Sequence, residues 1–116
     1  RLYDDLEDVH KWLDQAFYNG RRVGFAFSEI YKGEFKLDKL YIHPDVQRQG
    51  VGGQLIEHVA ARAKKNGYPC LILAVNKRNE KAIGSYKKYG FMVREAIVDD
   101  IGRGFVMDDF VMEKKL

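Results

Sequence analysis

The stretch Val46-Gln47-Arg48-Gln49-Gly50-Val51-Gly52-Gly53-Gln54-Leu55-Ile56 constrains the fold more than any other. Three glycines fall within four residues, directly before a segment whose apolar residues recur at helical spacing. Glycine is worse than alanine inside a helix by about 1 kcal/mol. A strand over residues 35–43 leads into the stretch and ends at Pro44, which cannot donate to a sheet ladder. The glycines therefore stand where a strand gives way to a helix. The first turn of a helix offers N–H groups without intrahelical partners and the positive end of its dipole, which together bind anions. Glycine removes the side chains that would keep a ligand off that backbone. A tight turn with glycines chosen for φ is the plainer alternative, and three of them together favour the anion.

The neighbouring residues narrow the choice of anion. A phosphate loop of the nucleotide hydrolases needs Lys-Ser or Lys-Thr after its last glycine, and here Gln54-Leu55 follows Gly53. A dinucleotide fingerprint needs a third glycine where Leu55 stands, and a parallel strand at the chain start.

The spacing of Leu6, Val9, Trp12 and Leu13 predicts an amphipathic helix over residues 5–13. Asn19-Gly20 is a hairpin signal, because both central residues of that turn need positive φ. The helix pattern runs almost into it, so the strand before it is expected to be abbreviated. Strands are expected over residues 23–30 and, after a turn at Lys32-Gly33-Glu34, over 35–43. Leu55, Ile56, Val59, Ala60 and Ala63 mark the next helix, with Gly67 as its stop. Residues 71–75 read as a short strand covered on both faces. A helix is expected over 79–89, stopped by Gly90, then strands over 91–98 and 105–112. The fold class is α/β (α+β), one domain over residues 1–116 around a mixed, mostly antiparallel central sheet flanked by helices.

The 116 residues are 46% hydrophobic, enough for one packed core. No apolar run reaches membrane-spanning length and no signal peptide is visible, so no membrane contact and a cytoplasmic location are expected. The chain begins at Arg1, which leaves room for a preceding segment. The single cysteine, Cys70, excludes an internal disulfide, and its apolar neighbours read as those of an inert core thiol. His10, His43 and His58 are scattered without metal-ligand spacing, so no metal is expected. Ser28 and Ser85 sit in a strand and a helix, away from the strained turn of a serine hydrolase. The net charge is +3, but residues 76–94 carry six basic side chains against Glu80, and residues 95–113 carry six acids against Arg103. One zone suits an anion and the other a cation. The acidic final third, and the lack of a clustered basic-aromatic face, argue against a nucleic-acid binder.

These features together resemble the GNAT superfamily of acyl-CoA-dependent N-acyltransferases. Gln47-Arg48-Gln49-Gly50-Val51-Gly52 fits its signature of Gln or Arg, two residues, Gly, one residue, then Gly or Ala. Leu40-Tyr41-Ile42-His43-Pro44 resembles the strand leading into that loop. A second block also matches, Val75-Asn76-Lys77-Arg78-Asn79-Glu80-Lys81-Ala82, then Tyr86, then Gly90-Phe91. The resemblance covers residues 23–116 in element order. The family's usual strand and helix before the expected 5–13 helix are missing from the sequence.

The resemblance implies acetyl transfer from acetyl-CoA to a primary amine by direct attack in a ternary complex. A CoA-binding regulatory module without catalysis is the alternative. It implies that Arg48, Gln49, Gly50, Val51, Gly52 and Gly53, introduced by Gln47, cradle the CoA diphosphate. It implies that Leu40, Tyr41 and Ile42 lie at a splay in the sheet, where the pantetheine arm pairs with free main-chain groups. The N–H at Ile42 then stabilises the oxyanion of the attacked thioester. Asn76 and Asn79 would meet the cofactor, Asn79 also reading as a helix N-cap. Lys77, Arg78 and Lys81 are candidates for its 3′-phosphate. Tyr86 corresponds to the tyrosine that protonates the departing thiolate, the ordinary phenol and thiol pKa values being about 10 and 8.5. Read from spacing alone, Tyr86 is a packing residue. Asp38, on the strand of Leu40 and Ile42 and assigned to their face by alternation, is a candidate base through water, with Glu29 a weaker one. The implied partners are a small-molecule amine or peptide amine and a second copy of the chain.

Overall fold

The structure, a computed structural model, describes residues 10–116. It is a six-stranded sheet with two α-helices on one face. β1 (Lys11–Tyr18), β2 (Arg21–Tyr31) and β3 (Glu34–Ile42) form an antiparallel meander. α1 (Val51–Lys65) crosses to β4 (Cys70–Asn76), α2 (Glu80–Lys88) follows, and β5 (Phe91–Gly102) and β6 (Phe105–Lys115) close the chain. The order across the sheet is β1-β2-β3-β4-β6-β5, and only β3 and β4 run parallel.

The first expected element needs correction. Residues 5–9 of the predicted helix lie outside the described residues, and the rest of it, Trp12 and Leu13, belongs to β1. Along β1 the exposure alternates, with Trp12, Asp14 and Ala16 sheltered and Lys11, Leu13 and Gln15 exposed, the period of a strand. Its eight residues are a full-length hairpin arm rather than an abbreviated one. The turn that builds the hairpin is the one the sequence announces, Asn19 at φ 51° and Gly20 at φ 78°. Lys32 and Gly33 repeat that geometry between β2 and β3.

The core lies between the sheet and α1. Phe35 and Leu37 of β3, Leu71, Leu73 and Val75 of β4, and Met112 of β6 pack with Leu55, Ile56, Val59, Ala60 and Ala63 of α1. Each such large side chain contributes about 1.5–3 kcal/mol by burial. Trp12 stacks on Phe35 with centroids 5.0 Å apart. A bidentate ion pair ties β1 to α1, Arg62 donating to Asp14 at 2.6 and 2.7 Å. That contact raises the Arg62 pKa against the opposing effect of burial.

The other face of the sheet carries no helix among the described residues. On β4, expected over residues 71–75 to be covered on both sides, Ile72 of this face is buried as expected and Ala74 is exposed. Arg94 of β5 reaches across this face, donating to Glu113 of β6 at 2.8 Å and to Glu34 at the start of β3 at 2.6 and 3.1 Å. β5 and β6 run longer than expected, and only Arg103-Gly104 turns between them. Because β4 meets β6 only from Asp109 onward, residues 98–107 project as a two-stranded arm. No helix among the described residues is long and apolar enough to cross a membrane.

Candidate active site

β3 and β4 pair only at Phe35↔Leu71 and Lys36↔Ile72 and then separate. Beyond that point β3 stays bonded to β2 and β4 stays bonded to β6, so a gap opens between them. The His43 N–H donates to Val23 O at 2.7 Å. In an antiparallel pair alternate residues bond to the same neighbour. Tyr41 therefore bonds towards β2, and the main-chain groups of Leu40 and Ile42 face the gap. Opposite them, the Lys77 N–H donates to Asp108 O at 3.1 Å, which turns those of Ala74 and Asn76 to the gap by the same argument. The splay that the sequence resemblance implies is thus present, edged by main-chain groups that bond to neither β2 nor β6; of these, the Ile42 carbonyl accepts from the Gln47 side chain and the Asn76 carbonyl from the Asn79 N–H.

The gap opens towards the glycine loop. Pro44–Val46 is a short 3-10 turn, and Arg48 takes φ 68°. Gly50 caps α1 at φ 85° without a side-chain bond. Among the described residues, no main-chain N–H from 48 to 53 donates to a protein acceptor, the first bonded one being Gln54 to Gly50 O at 3.0 Å. Six successive free donors at a helix start form an anion cradle. The Gln47 side chain donates to Ile42 O at 3.3 Å and that of Gln49 to Asp45 O at 3.5 Å, bracing the loop.

The three glycines serve two purposes. At Gly50 a Cβ would meet nothing within 4 Å, and positive φ is what the residue supplies. At Gly52 a Cβ would meet Tyr89 Oη at 3.2 Å, and at Gly53 Tyr89 Cε1 at 3.0 Å. The Gly52-Gly53 pair makes room for the Tyr89 ring against the first turn of α1. Glycine count alone does not reveal this contact; two adjacent glycines inside a helix are the sequence signal of such a close approach.

Tyr86 lies on the last turn of α2 and Tyr89 is its C-cap, both half-buried against the core. The Tyr86 ring meets Phe91 edge-on at 5.7 Å. Burial, with Tyr89 adding to it, pushes the Tyr86 phenol above its ordinary pKa, so it holds its proton. Asn79 caps α2, its Oδ1 accepting from the Ala82 N–H at 3.2 Å, and Asn76 Oδ1 accepts from the Arg78 N–H at 2.9 Å. The first of these is the cap the sequence suggested.

Asp38 sits at a β-bulge. Leu37 pairs with Ser28 and Lys39 with Phe27, so Asp38 is the extra residue. The bulge reverses the alternation: Phe35 and Leu37 before it and Leu40 and Ile42 after it all pack on the helix side. Asp38 and Lys39 are both exposed. The alternation that put Asp38 on one face with Leu40 and Ile42 does not carry across the bulge. Glu29 lies on β2, opposite Lys36. Of the three cations considered for a phosphate, Lys77 is bound to Asp108. An open groove of about 670 Å³ against the loop is lined by Lys88, Lys114 and Glu57, with Gly50, Gly53, Gln54 and Tyr89; Lys114 is paired with Glu57 at 3.6 Å and donates to Tyr89 O at 2.7 Å, so Lys88 is the lining cation without such a partner among the described residues.

A family model described as the acetyltransferase (GNAT) family matches residues 1–91. The peptidyl-lysine N-acetyltransferase YjaB of Salmonella typhimurium is 43% identical over 84 residues, which are 72% of this chain and 52% of that protein. The ribosomal protein bS18-alanine N-acetyltransferase of Escherichia coli is 36% identical over 77 residues, 66% of this chain and 52% of that protein. The chain thus spans about half the length of the curated relatives it matches. The crystal structure of the PaiA N-acetyltransferase from Thermoplasma acidophilum in complex with coenzyme A superimposes with a TM-score of 0.77 at 25% identity, covering 99% of this chain and 67% of that one.

Proposed function

The chain belongs to the GNAT acetyltransferase family, and from that membership we propose that it transfers an acetyl group from acetyl-CoA to a primary amine within a ternary complex. The observation that carries this reading is the gap between β3 and β4, into which the main-chain N–H groups of Leu40, Ile42, Ala74 and Asn76 turn, ending at the six free donors of residues 48–53. The extended pantetheine arm of the thioester would pair with Leu40 and Ile42 on one edge and Ala74 and Asn76 on the other. The diphosphate would lie on the N–H groups of Arg48, Gln49, Gly50, Val51, Gly52 and Gly53. Lys88 adds positive charge beside it, Lys114 being paired with Glu57. Asn79 stands at the start of α2 for a further contact with the carrier.

In the reaction the amine lone pair attacks the thioester carbon. The C–N bond forms, the C–S bond breaks, and the sulfur takes the Tyr86 phenolic proton. The Ile42 N–H supports the charge developing on the carbonyl oxygen. The proton lost by the amine leaves through water, for which Asp38 is the candidate carrier, and Tyr86 is reprotonated from solvent. Free CoA and an acetamide result. The acceptor is a small-molecule or peptide amine; the names of the relatives point to lysine and alanine amines of proteins. A second copy of the chain would cover the projecting arm, whose Val98, Ile101, Phe105 and Val106 are exposed.

Free-thiol release from acetyl-CoA over a panel of amines tests the reading. Amine-dependent thiol release is expected. Saturable CoA binding with no release for any amine would leave a binding module instead.

A further inference from the structure

One carboxylate on the open face of the sheet stands apart from the rest. Asp109 of β6 is 8% exposed. Among the described residues it makes no side-chain hydrogen bond and no ion pair, whereas its neighbour Asp108 is bound to Lys77. The Asp109 carboxylate is thus mostly enclosed with no donor against it among the described residues. Its oxygens are nevertheless not sealed from solvent, since among the described residues the only fully enclosed side-chain polar atom without a partner is Ser28 Oγ.

Register places this carboxylate relative to the gap. Asp109 pairs with Asn76 of β4 on one side and Ile97 of β5 on the other. Leu71, Leu73 and Val75 face α1, so Asn76 and Asp109 lie on the opposite face, which carries no helix among the described residues. Asn76 is the last residue of β4 and edges the gap. Ile97 and Val111, both half-buried, share that face and flank Asp109, and an apolar flank strengthens any charge contact made there. Met107 and Asp99 continue the same face towards the arm, and Asp99 is exposed. Arg94, on this face, is occupied by Glu34 and Glu113. Lys39 lies across the gap on β3 and is exposed.

We propose that Asp109 receives a second positive charge of the acceptor, so that the preferred substrates are dicationic amines. This rests on the acetyl-transfer reading above. The attacking nitrogen must be neutral to react, so an ammonium fixed on Asp109 belongs to another group of the same molecule. Asp109 is then a specificity residue that positions the acceptor from the open face, while the thioester enters from the helix side. A small diamine and a lysine-rich peptide offer the same chemistry.

The test uses the purified protein and its Asp109→Asn variant, with 1,4-diaminobutane, N-acetyl-Lys-Lys amide and n-butylamine as acceptors, and calorimetry of acetyl-CoA binding alongside. The wild type is expected to bind the dicationic probes about 10- to 100-fold better than butylamine, the usual range for a charge-assisted contact. Asp109→Asn is expected to raise KM for those probes by that factor, with kcat, the butylamine KM and acetyl-CoA affinity within about twofold of wild type. Preference for one dicationic probe over the other identifies the source as small molecule or peptide. Equal wild-type binding of butylamine and diaminobutane overturns the proposal, and this arm decides even if the variant fails to fold. An unchanged diamine KM in Asp109→Asn, or an equal loss for every amine, overturns it as well. Absence of acetyl-CoA binding by the wild type would instead remove the reading on which it rests.

Discussion

Replacing Gly53 with alanine separates the two purposes of the glycine loop. Gly53 has helical geometry in the first turn of α1, so alanine gains about 1 kcal/mol of helix propensity. The new Cβ meets Tyr89 Cε1 at 3.0 Å and Cδ1 at 3.5 Å, and such overpacking costs about 1–3 kcal/mol. The net change expected in the wild-type background is about 0–2 kcal/mol of destabilisation. With Tyr89→Ala the obstruction is gone, and Gly53→Ala should then stabilise by about 1 kcal/mol. The coupling between the two substitutions, read from urea unfolding of the four proteins, is therefore about 1–3 kcal/mol. CoA affinity measured on the same proteins completes the comparison. If Gly53 mattered only for the phosphate, Gly53→Ala would weaken CoA binding equally in both backgrounds and the stabilities would add to within about 0.5 kcal/mol. That additivity would refute the packing role assigned to Tyr89.

Three further outcomes are expected. Tyr86→Phe should lower kcat by about 10²- to 10⁴-fold with acetyl-CoA KM nearly unchanged, since the ring and its contact with Phe91 remain. Because burial raises the Tyr86 pKa, the alkaline limb of the wild-type rate profile should lie above the usual phenol value of about 10 and vanish in the variant; wild-type turnover by Tyr86→Phe would remove the acid role. The hydrogen bond from Arg94 holds the Glu34 carboxyl below its ordinary pKa, so the pair stabilises the fold above about pH 4.3 and that contribution is lost as pH falls. Glu34 is 41% exposed, which limits the effect to about 1 kcal/mol or less, and a pH series of thermal melts should show it abolished in Arg94→Met. Finally, sedimentation should find the wild type as a dimer and the Phe105→Asp, Val106→Asp double variant as a monomer, whereas a monomeric wild type would leave the arm without its proposed partner.

Much of the fold is legible in the sequence because local and tertiary preferences agree. Asn19-Gly20 and Lys32-Gly33 set two hairpins by turn chemistry, and Leu55, Ile56, Val59, Ala60 and Ala63 set α1 by period. β1 was not legible, because Trp12 and Leu13 complete a helical spacing with Leu6 and Val9. Pairing with β2 decides the conformation, and a pattern shared between two periods cannot express that. The loop and the splayed strand were found through their motif. The bulge at Asp38 escaped, since an extra residue in a strand leaves no mark in composition and reverses every later assignment of face. Tyr89, Lys88 and Lys114 escaped for a different reason. Their place beside the loop depends on how α2 and β6 pack, at sequence separations that periodicity does not reach. Asp109 was visible only as one of six acids; its burial, and its having no partner among the described residues, are properties of the sheet.

The central claim, that the gap and the loop together hold the acyl carrier, is tested most directly by amide hydrogen exchange with and without CoA. Saturating CoA should slow exchange at Leu40, Ile42 and Asn76 and at residues 48–53, and leave β1 unchanged. Saturable binding that left those amides exchanging at their free rates would contradict it.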